Sequence, residues 1–330
     1  MAHLSPHAAL QHVPTALALR PDEVVQYRQA GRAARVTHVL LHGIGSGSGS
    51  WVRQLQAAEP RTDVRVLAWD APGYGRSAPL SPIHPHAADY ARRLWRWMDA
   101  MDQHQPITLV GHSLGALMAA AAAVQQPQRV AELVLLAPAR GYGDADEVER
   151  EAKLSGRLAT LQKLGPQGMA NARAAAMLSP DATPEMVDLV RDTMAQIDPA
   201  GYTQAARMLS TGRLDADLAR VSVPLTVASG SADTITPPAA CADVAHRKDV
   251  AWSDLGPVGH VCALEAAERV NALQATDPQR AQALQQEVLF YARQNLADIL
   301  TQQAVCTNGY LALDLLKKTG REMMNGCSRV

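Results

Sequence analysis

Several kinds of surplus are missing from this chain of 330 residues, and each absence removes a class of function. Charge is balanced, with 31 Lys and Arg against 32 Asp and Glu, a net −1. Without surplus cation there is no electrostatic case for nucleic acid or an anionic membrane as a partner. No stretch of about 20 apolar residues is present, so no transmembrane helix is expected. The first 20 residues hold three histidines and two prolines instead of a basic start and an apolar core, and no signal peptide is expected. Cysteine is scarce. Cys241, Cys262, Cys306 and Cys327 are widely spaced and match no zinc pattern, which predicts reduced thiols in a cytoplasmic protein.

Cofactor motifs are missing too. Gly45-Ser46-Gly47-Ser48-Gly49-Ser50 invites a phosphate-loop or linker reading, but a strand-like run precedes it and Trp51 follows. The G-x-G-x-x-G pattern fails because Ser48 and Ser50 stand where the third glycine is required. With that pattern broken, Asp70 does not read as a ribose-binding acid. His84 and His86 are split by a proline and lack the helical spacing of a zinc site. No cofactor and no metal are implied.

What is present starts with Gly111-His112-Ser113-Leu114-Gly115, directly after the apolar run Ile107-Thr108-Leu109-Val110. A serine between two glycines at the end of a buried strand has the pattern of a nucleophile elbow. There the chain turns sharply from strand to helix and holds the serine in a strained conformation worth roughly 1–3 kcal/mol. Side chains two residues either side would collide, and glycines remove the collision. The helix opening at Leu114 points its amides toward any negative charge that develops.

The surroundings fit. Residues 114–126 read as a helix whose alanine run, 119–123, suits close packing on a sheet, and Pro127 ends it. Residues 36–41, 64–69, 132–137 and 223–228 read as buried strands. The first runs into His42-Gly43-Ile44-Gly45, and the second into Asp70-Ala71-Pro72-Gly73-Tyr74-Gly75-Arg76-Ser77. In this order the motifs resemble the α/β-hydrolase family over residues 36–267. The resemblance implies an α/β fold: a mostly parallel sheet flanked by helices, with a helical cap insertion.

It also implies a triad in the chain order Ser, Asp, His. Ser113 is then the nucleophile. Asp233 leaves the strand-like run 223–228 just before a helix and is the expected acid, with Asp144 and Asp146 as the alternatives. His260, delivered by the turn Gly256-Pro257-Val258-Gly259, is the expected base, in preference to His246. An imidazole must take the serine proton, and a carboxylate must orient that imidazole and stabilise its cation. The oxyanion hole is expected from the N–H groups of Leu114 and of Ile44, or Gly45 in place of Ile44. His42 and His112 read as hydrogen-bonded loop residues that position the site.

With 47% hydrophobic residues the chain exceeds what one sheet domain needs, which leaves room for an insertion. The expected organisation is a first part of the core at 1–139, a cap at 140–212, a second part at 213–301 and an extension of unknown role at 302–330. Met169, Met177, Met186, Met194 and Met208 are spread along the cap, either lining an adaptable apolar pocket or packing its helices together. A helix is expected over 279–301. The leucines of the tail could dock on the same subunit or make a homo-oligomer.

The functional expectation is a serine hydrolase that takes a small ester, lactone or related acyl substrate through an acyl-enzyme. Serine at the elbow argues against dehalogenases and epoxide hydrolases, which carry aspartate there. Carbon–carbon bond hydrolysis, cofactor-free haloperoxidase or perhydrolase chemistry, acyl transfer and a non-catalytic receptor role are the rival readings.

Overall fold

The computed structural model describes residues 13–274. The helix expected over 279–301, the extension 302–330, Cys306 and Cys327 lie outside the described residues.

Eight strands form one sheet: β1 Thr15–Arg20, β2 Glu23–Ala30, β3 His38–Leu41, β4 Val66–Trp69, β5 Ile107–His112, β6 Val130–Leu136, β7 Leu225–Ser229 and β8 Trp252–Asp254. Their spatial order is β1-β2-β4-β3-β5-β6-β7-β8. From β4 to β8 every pairing is parallel, whereas β1 pairs antiparallel with β2 and β2 antiparallel with β4. The sequence reading did not anticipate that hairpin. β1 lies at the sheet edge and is mostly exposed, and in β2 Gln26, Arg28 and Gln29 interrupt the apolar residues, unlike the continuous runs of strands buried on both faces. β3, β4 and β5 have such runs and are buried at every position.

The core helices are α1 Val52–Ala58, α2 Ala87–Ala100 and α3 Leu114–Gln125. α3 is buried from Leu114 to Ala123, and its small alanines let it sit close against the sheet. α2 is held to the β2 side by stacked aromatics. Trp97 lies 6.3 Å from Trp69 and 5.1 Å from Tyr27 between ring centroids. Arg93 adds a 2.7 Å ion pair to Glu23 in β2. Losing one of the buried tryptophans to alanine is expected to cost about 3–5 kcal/mol.

Between β6 and β7 the chain leaves the sheet and forms α4 Glu147–Arg173, α5 Pro184–Ala195, α6 Pro199–Thr211 and the short α7 Leu214–Leu218. Asp146, Thr183 and Asp198 cap the first three, each accepting from a backbone N–H with its side chain. α4 is interrupted at Gly165, whose φ of 61° and ψ of 177° are not helical. Pro166 follows, and proline disfavours helical backbone in the residue before it. α8 Pro238–Arg247, α9 Cys262–Glu265 and α10 Ala267–Leu273 complete the described residues. The loops that follow β3, β5, β7 and β8 leave the same end of the sheet, the edge where open α/β sheets gather their functional groups. No helix among the described residues is long and apolar enough to cross a membrane.

Candidate active site

At the turn from β5 to α3, Ser113 adopts φ 52° and ψ −114°, a strained backbone for a residue with a side chain. Tight packing forces it. A Cβ on Gly115 would lie 2.1 Å from the Leu41 carbonyl oxygen, and one on Gly111 would lie 2.5 Å from the Gly115 carbonyl oxygen. Neither neighbour can therefore be anything but glycine while β3, β5 and α3 keep this spacing. The Ser113 N–H donates to the Leu136 carbonyl at 2.9 Å, which ties the elbow to β6. Across the site Gly43 lies so close that a Cβ there would be 3.5 Å from Ser113 Oγ. Leu114 opens α3, where a first-turn N–H has no acceptor within its own helix. Gly43, Ile44 and Gly45 line the same cavity as Ser113.

Asp233 sits in the loop after β7, and His260 in the loop after β8. His260 Nδ1 donates to Asp233 Oδ2 at 2.8 Å, with the two side chains 2% and 0% exposed. Burial pushes the Asp233 carboxyl up, but the hydrogen bond and charge of His260, with the hydroxyl and amide of Thr236, outweigh it and hold the group below the usual Asp range. The Thr236 hydroxyl is 2.7 Å from Asp233 Oδ2 and 3.2 Å from His260 Nδ1. Its N–H and that of Ile235 donate to Asp233 Oδ1 at 3.0 and 2.7 Å. Four donors thus converge on one carboxylate.

Asp144 and Asp146 lie elsewhere. Asp144 is ion-paired with Arg213 at 2.6 Å on an exposed surface, and Asp146 accepts from the Glu149 N–H as the cap of α4. His246 lies in the last turn of α8. His42 and His112 are both buried beside the site. His42 donates through Nδ1 to its neighbour Gly43 and accepts at Nε2 from the Ala71 N–H at 3.0 Å, a pairing that requires the neutral ring. His112 donates through Nε2 to the His260 carbonyl at 2.8 Å. Burial, with the nearby His260 ring, pushes the His112 pKa down to about 3.

Asp70 lies beneath the glycine-rich loop. Its carboxylate accepts from the Ser48 N–H at 2.7 Å, the Ser48 hydroxyl at 3.0 Å and Gln26 Nε2 at 2.6 Å. The acid after the second buried strand therefore anchors the loop that carries Ile44.

Sequence reasoning missed two residues. Thr236 had a readable signal, a hydroxyl three positions after an acid in a turn. Glu265 had none. Its Oε1 accepts from the Ser179 N–H and hydroxyl at 3.0 and 2.5 Å, and its Oε2 accepts from the Gly259 N–H at 2.9 Å. One carboxylate therefore joins the insertion to the loop that carries His260.

Ser113 and His260 open onto a cavity of about 260 Å³. Trp51, Pro138 and Ala139 wall it from the sheet side, and Met169, Met177, Met194 and Tyr202 from the insertion. Two of the five methionines singled out earlier lie off its wall. Met208 is fully buried in the main core, and Met186 packs against a cluster containing Leu178 and Val261.

Comparison with known proteins agrees with this geometry. A family model described as alpha/beta hydrolase fold matches residues 39–267, more than two thirds of the chain. A second model, described as toxic anion resistance protein (TelA), matches residues 262–330 and overlaps the first only at its end. The chain is similar to 3-oxoadipate enol-lactonase 2 of Acinetobacter baylyi, with 24% identity over 65% of this chain and 78% of that protein. It is also similar to a 2-hydroxy-6-oxononadienedioate/2-hydroxy-6-oxononatrienedioate hydrolase of Paraburkholderia xenovorans, with 34% identity over 36% of this chain and 40% of that protein. Among solved structures, a hydrolase from Pseudomonas aeruginosa superposes with a TM-score of 0.66 at 25% identity, covering 78% of this chain and 96% of that one. Motif order, a mostly parallel eight-stranded sheet and a family match over most of its length lead to one conclusion: the chain belongs to the α/β hydrolase fold family and is an enzyme of that family.

Proposed function

We propose that this protein is a serine hydrolase that cleaves a small carboxylic ester, lactone or related acyl compound through an acyl-enzyme. The observation that carries the reading is the strained Ser113 on the wall of a cavity it shares with His260, whose far nitrogen is held by a buried Asp233. In this mechanism His260 takes the Ser113 proton as the hydroxyl attacks the acyl carbon. Asp233 keeps the ring in the tautomer that leaves Nε2 free to accept, and stabilises the imidazolium that forms. The N–H groups of Leu114 and Ile44 bind the oxyanion, and each such donor is typically worth about 10² to 10³ in rate. His260 then returns the proton to the leaving alkoxide, and the same steps with water release the acid. No cofactor enters. Cytoplasmic location goes with this reading, supported by the free buried thiols of Cys241 and Cys262.

The experiment is active-site labelling. A fluorophosphonate probe should modify Ser113, and Ser113→Ala should lose on the order of 10⁶ in kcat. Modification of another residue defeats the proposal. Carbon–carbon bond hydrolysis on the same three residues is the second reading, favoured by the similarity to a hydrolase named for 2-hydroxy-6-oxononadienedioate. Product analysis on a panel of esters, lactones and vinylogous diketones separates the two.

A further inference from the structure

Three arginines line the cavity: Arg140, Arg157 and Arg173. Among the described residues no aspartate or glutamate does. Arg140 is neutralised, because it pairs with Asp215 and, at 2.8 Å, with Asp243. Arg157 and Arg173 differ. Both are half-buried in α4, one on each side of the break at Gly165, and neither has a hydrogen-bond or ion-pair partner among the described residues. Their own helix supplies none. The positions three and four away are Lys153, Leu154, Thr160 and Leu161 for Arg157, and Met169, Ala170, Ala176 and Met177 for Arg173. Lys153 adds cationic character at this end, with its ammonium 5.9 Å from the ring of Tyr142, which also lines the cavity.

Withdrawing part of a guanidinium from bulk water without a counter-ion is unfavourable, and the cost grows as burial deepens. Two of them in the lining of one cavity leave a charge that an anion entering it would complete. The planar fork of arginine matches a carboxylate with two parallel hydrogen bonds. We propose that the substrate is an acyl compound carrying a second, free carboxylate, which Arg157 and Arg173 hold on the cap side while Ser113 attacks the acyl carbon at the other. The proposal rests on the hydrolase reading above and narrows its substrate to a dicarboxylic half-ester or a lactone that bears a carboxylate. It assigns Arg157 and Arg173 as specificity residues. Arg173 also lies in the last turn of α4, where a cation suits the helix dipole, so the test must distinguish substrate recognition from helix stabilisation.

The test compares two esters of equal shape. One is the mono-nitrophenyl ester of glutaric acid, and the other replaces its free carboxylate with an uncharged isopropyl group. The wild-type enzyme should prefer the charged ester in kcat/KM by about ten-fold or more, chiefly through KM. In Arg157→Gln, Arg173→Gln and the double variant that ratio should fall by about ten-fold or more, and lysine at either position should restore part of it. Because the ratio is taken on one enzyme sample, partial unfolding cancels. Glutarate should inhibit the wild type competitively and the double variant poorly. A wild type that prefers the uncharged ester, or glutamine variants with an unchanged ratio, overturns the proposal. Inorganic phosphate inhibiting as well as glutarate overturns the commitment to carboxylate. If neither ester is turned over and Ser113 resists a fluorophosphonate, the hydrolase reading itself is what fails.

Discussion

His112 donates from its imidazole to the main-chain carbonyl of His260 at 2.8 Å, so the residue preceding the elbow serine holds the loop that carries the expected base. That contact joins β5 to the loop after β8 and places a proton on Nε2. The pKa of His112 is about 3 in the fold, lowered first by burial and then by His260. An unfolded histidine titrates near 6.5. The unfolded chain therefore binds more protons between these values, and stability present above about pH 6.5 is lost as pH falls toward 3. Burial lowers His38 and His42 in the same direction. Thermal unfolding should show a melting temperature that drops steadily below about pH 6.5. In His112→Gln, which keeps a donor without the titration, that drop should be shallower.

Replacing the acid tests the orientation of His260. Asp233→Asn should lower kcat by about 10⁴ while leaving substrate binding nearly unchanged, because the amide stabilises the wrong tautomer. Asp144→Asn and Asp146→Asn should stay near wild type, since Asp144 is ion-paired on the surface and Asp146 caps a helix. Steady-state kinetics on one nitrophenyl ester decides, and a crippled Asp144→Asn would move the acid elsewhere.

Glu265 offers a test of the link between the insertion and the His260 loop. Glu265→Ala strands the Gly259 N–H and both Ser179 donors, and leaving such groups unsatisfied costs about 1–3 kcal/mol each when buried. Ser179→Ala removes one of these hydrogen bonds and should cost less. We expect Glu265→Ala to lower both the melting temperature and kcat. An unchanged kcat at a temperature where the variant is fully folded would show that this tie does not position His260.

The methionines separate by position. Met169→Ala, Met177→Ala and Met194→Ala should change the kcat/KM ratio between short and long acyl chains by about ten-fold, within the 1–3 kcal/mol that one methylene is worth in an apolar pocket. Met208→Ala should cost about 2–5 kcal/mol of stability and leave the ratio alone, because its side chain is buried away from the cavity. Equal effects of all four on every substrate would contradict this division.

Removing residues 302–330 should leave kcat within about three-fold, since β1 to β8, the elbow, Asp233, His260 and the cavity all lie within 13–274. Kinetics on the truncated chain checks it. A soluble but inactive truncation would mean that the extension contributes to the site.

Much of the sheet and all three proposed catalytic positions were legible in the amino-acid sequence, because their signals are local. A buried strand is a short apolar run, an elbow is two glycines about a serine, and Asp233 and His260 each follow such a run at a turn. These depend on backbone sterics and burial within a few residues. The N-terminal hairpin escaped because polar residues interrupt the apolar pattern of β2 and β1 is an exposed edge strand, and only pairing of β2 with β4 makes the hairpin part of the sheet. Tertiary structure alone decided which groups meet. Ser179 and Glu265 are 86 positions apart and meet only when the insertion folds over the sheet. Likewise no local pattern tells Arg140, neutralised by two aspartates, from Arg157 and Arg173, which face the cavity without a partner among the described residues. Side-chain type sets the charge each arginine brings, but packing at long range sets whether the protein itself supplies the counter-charge.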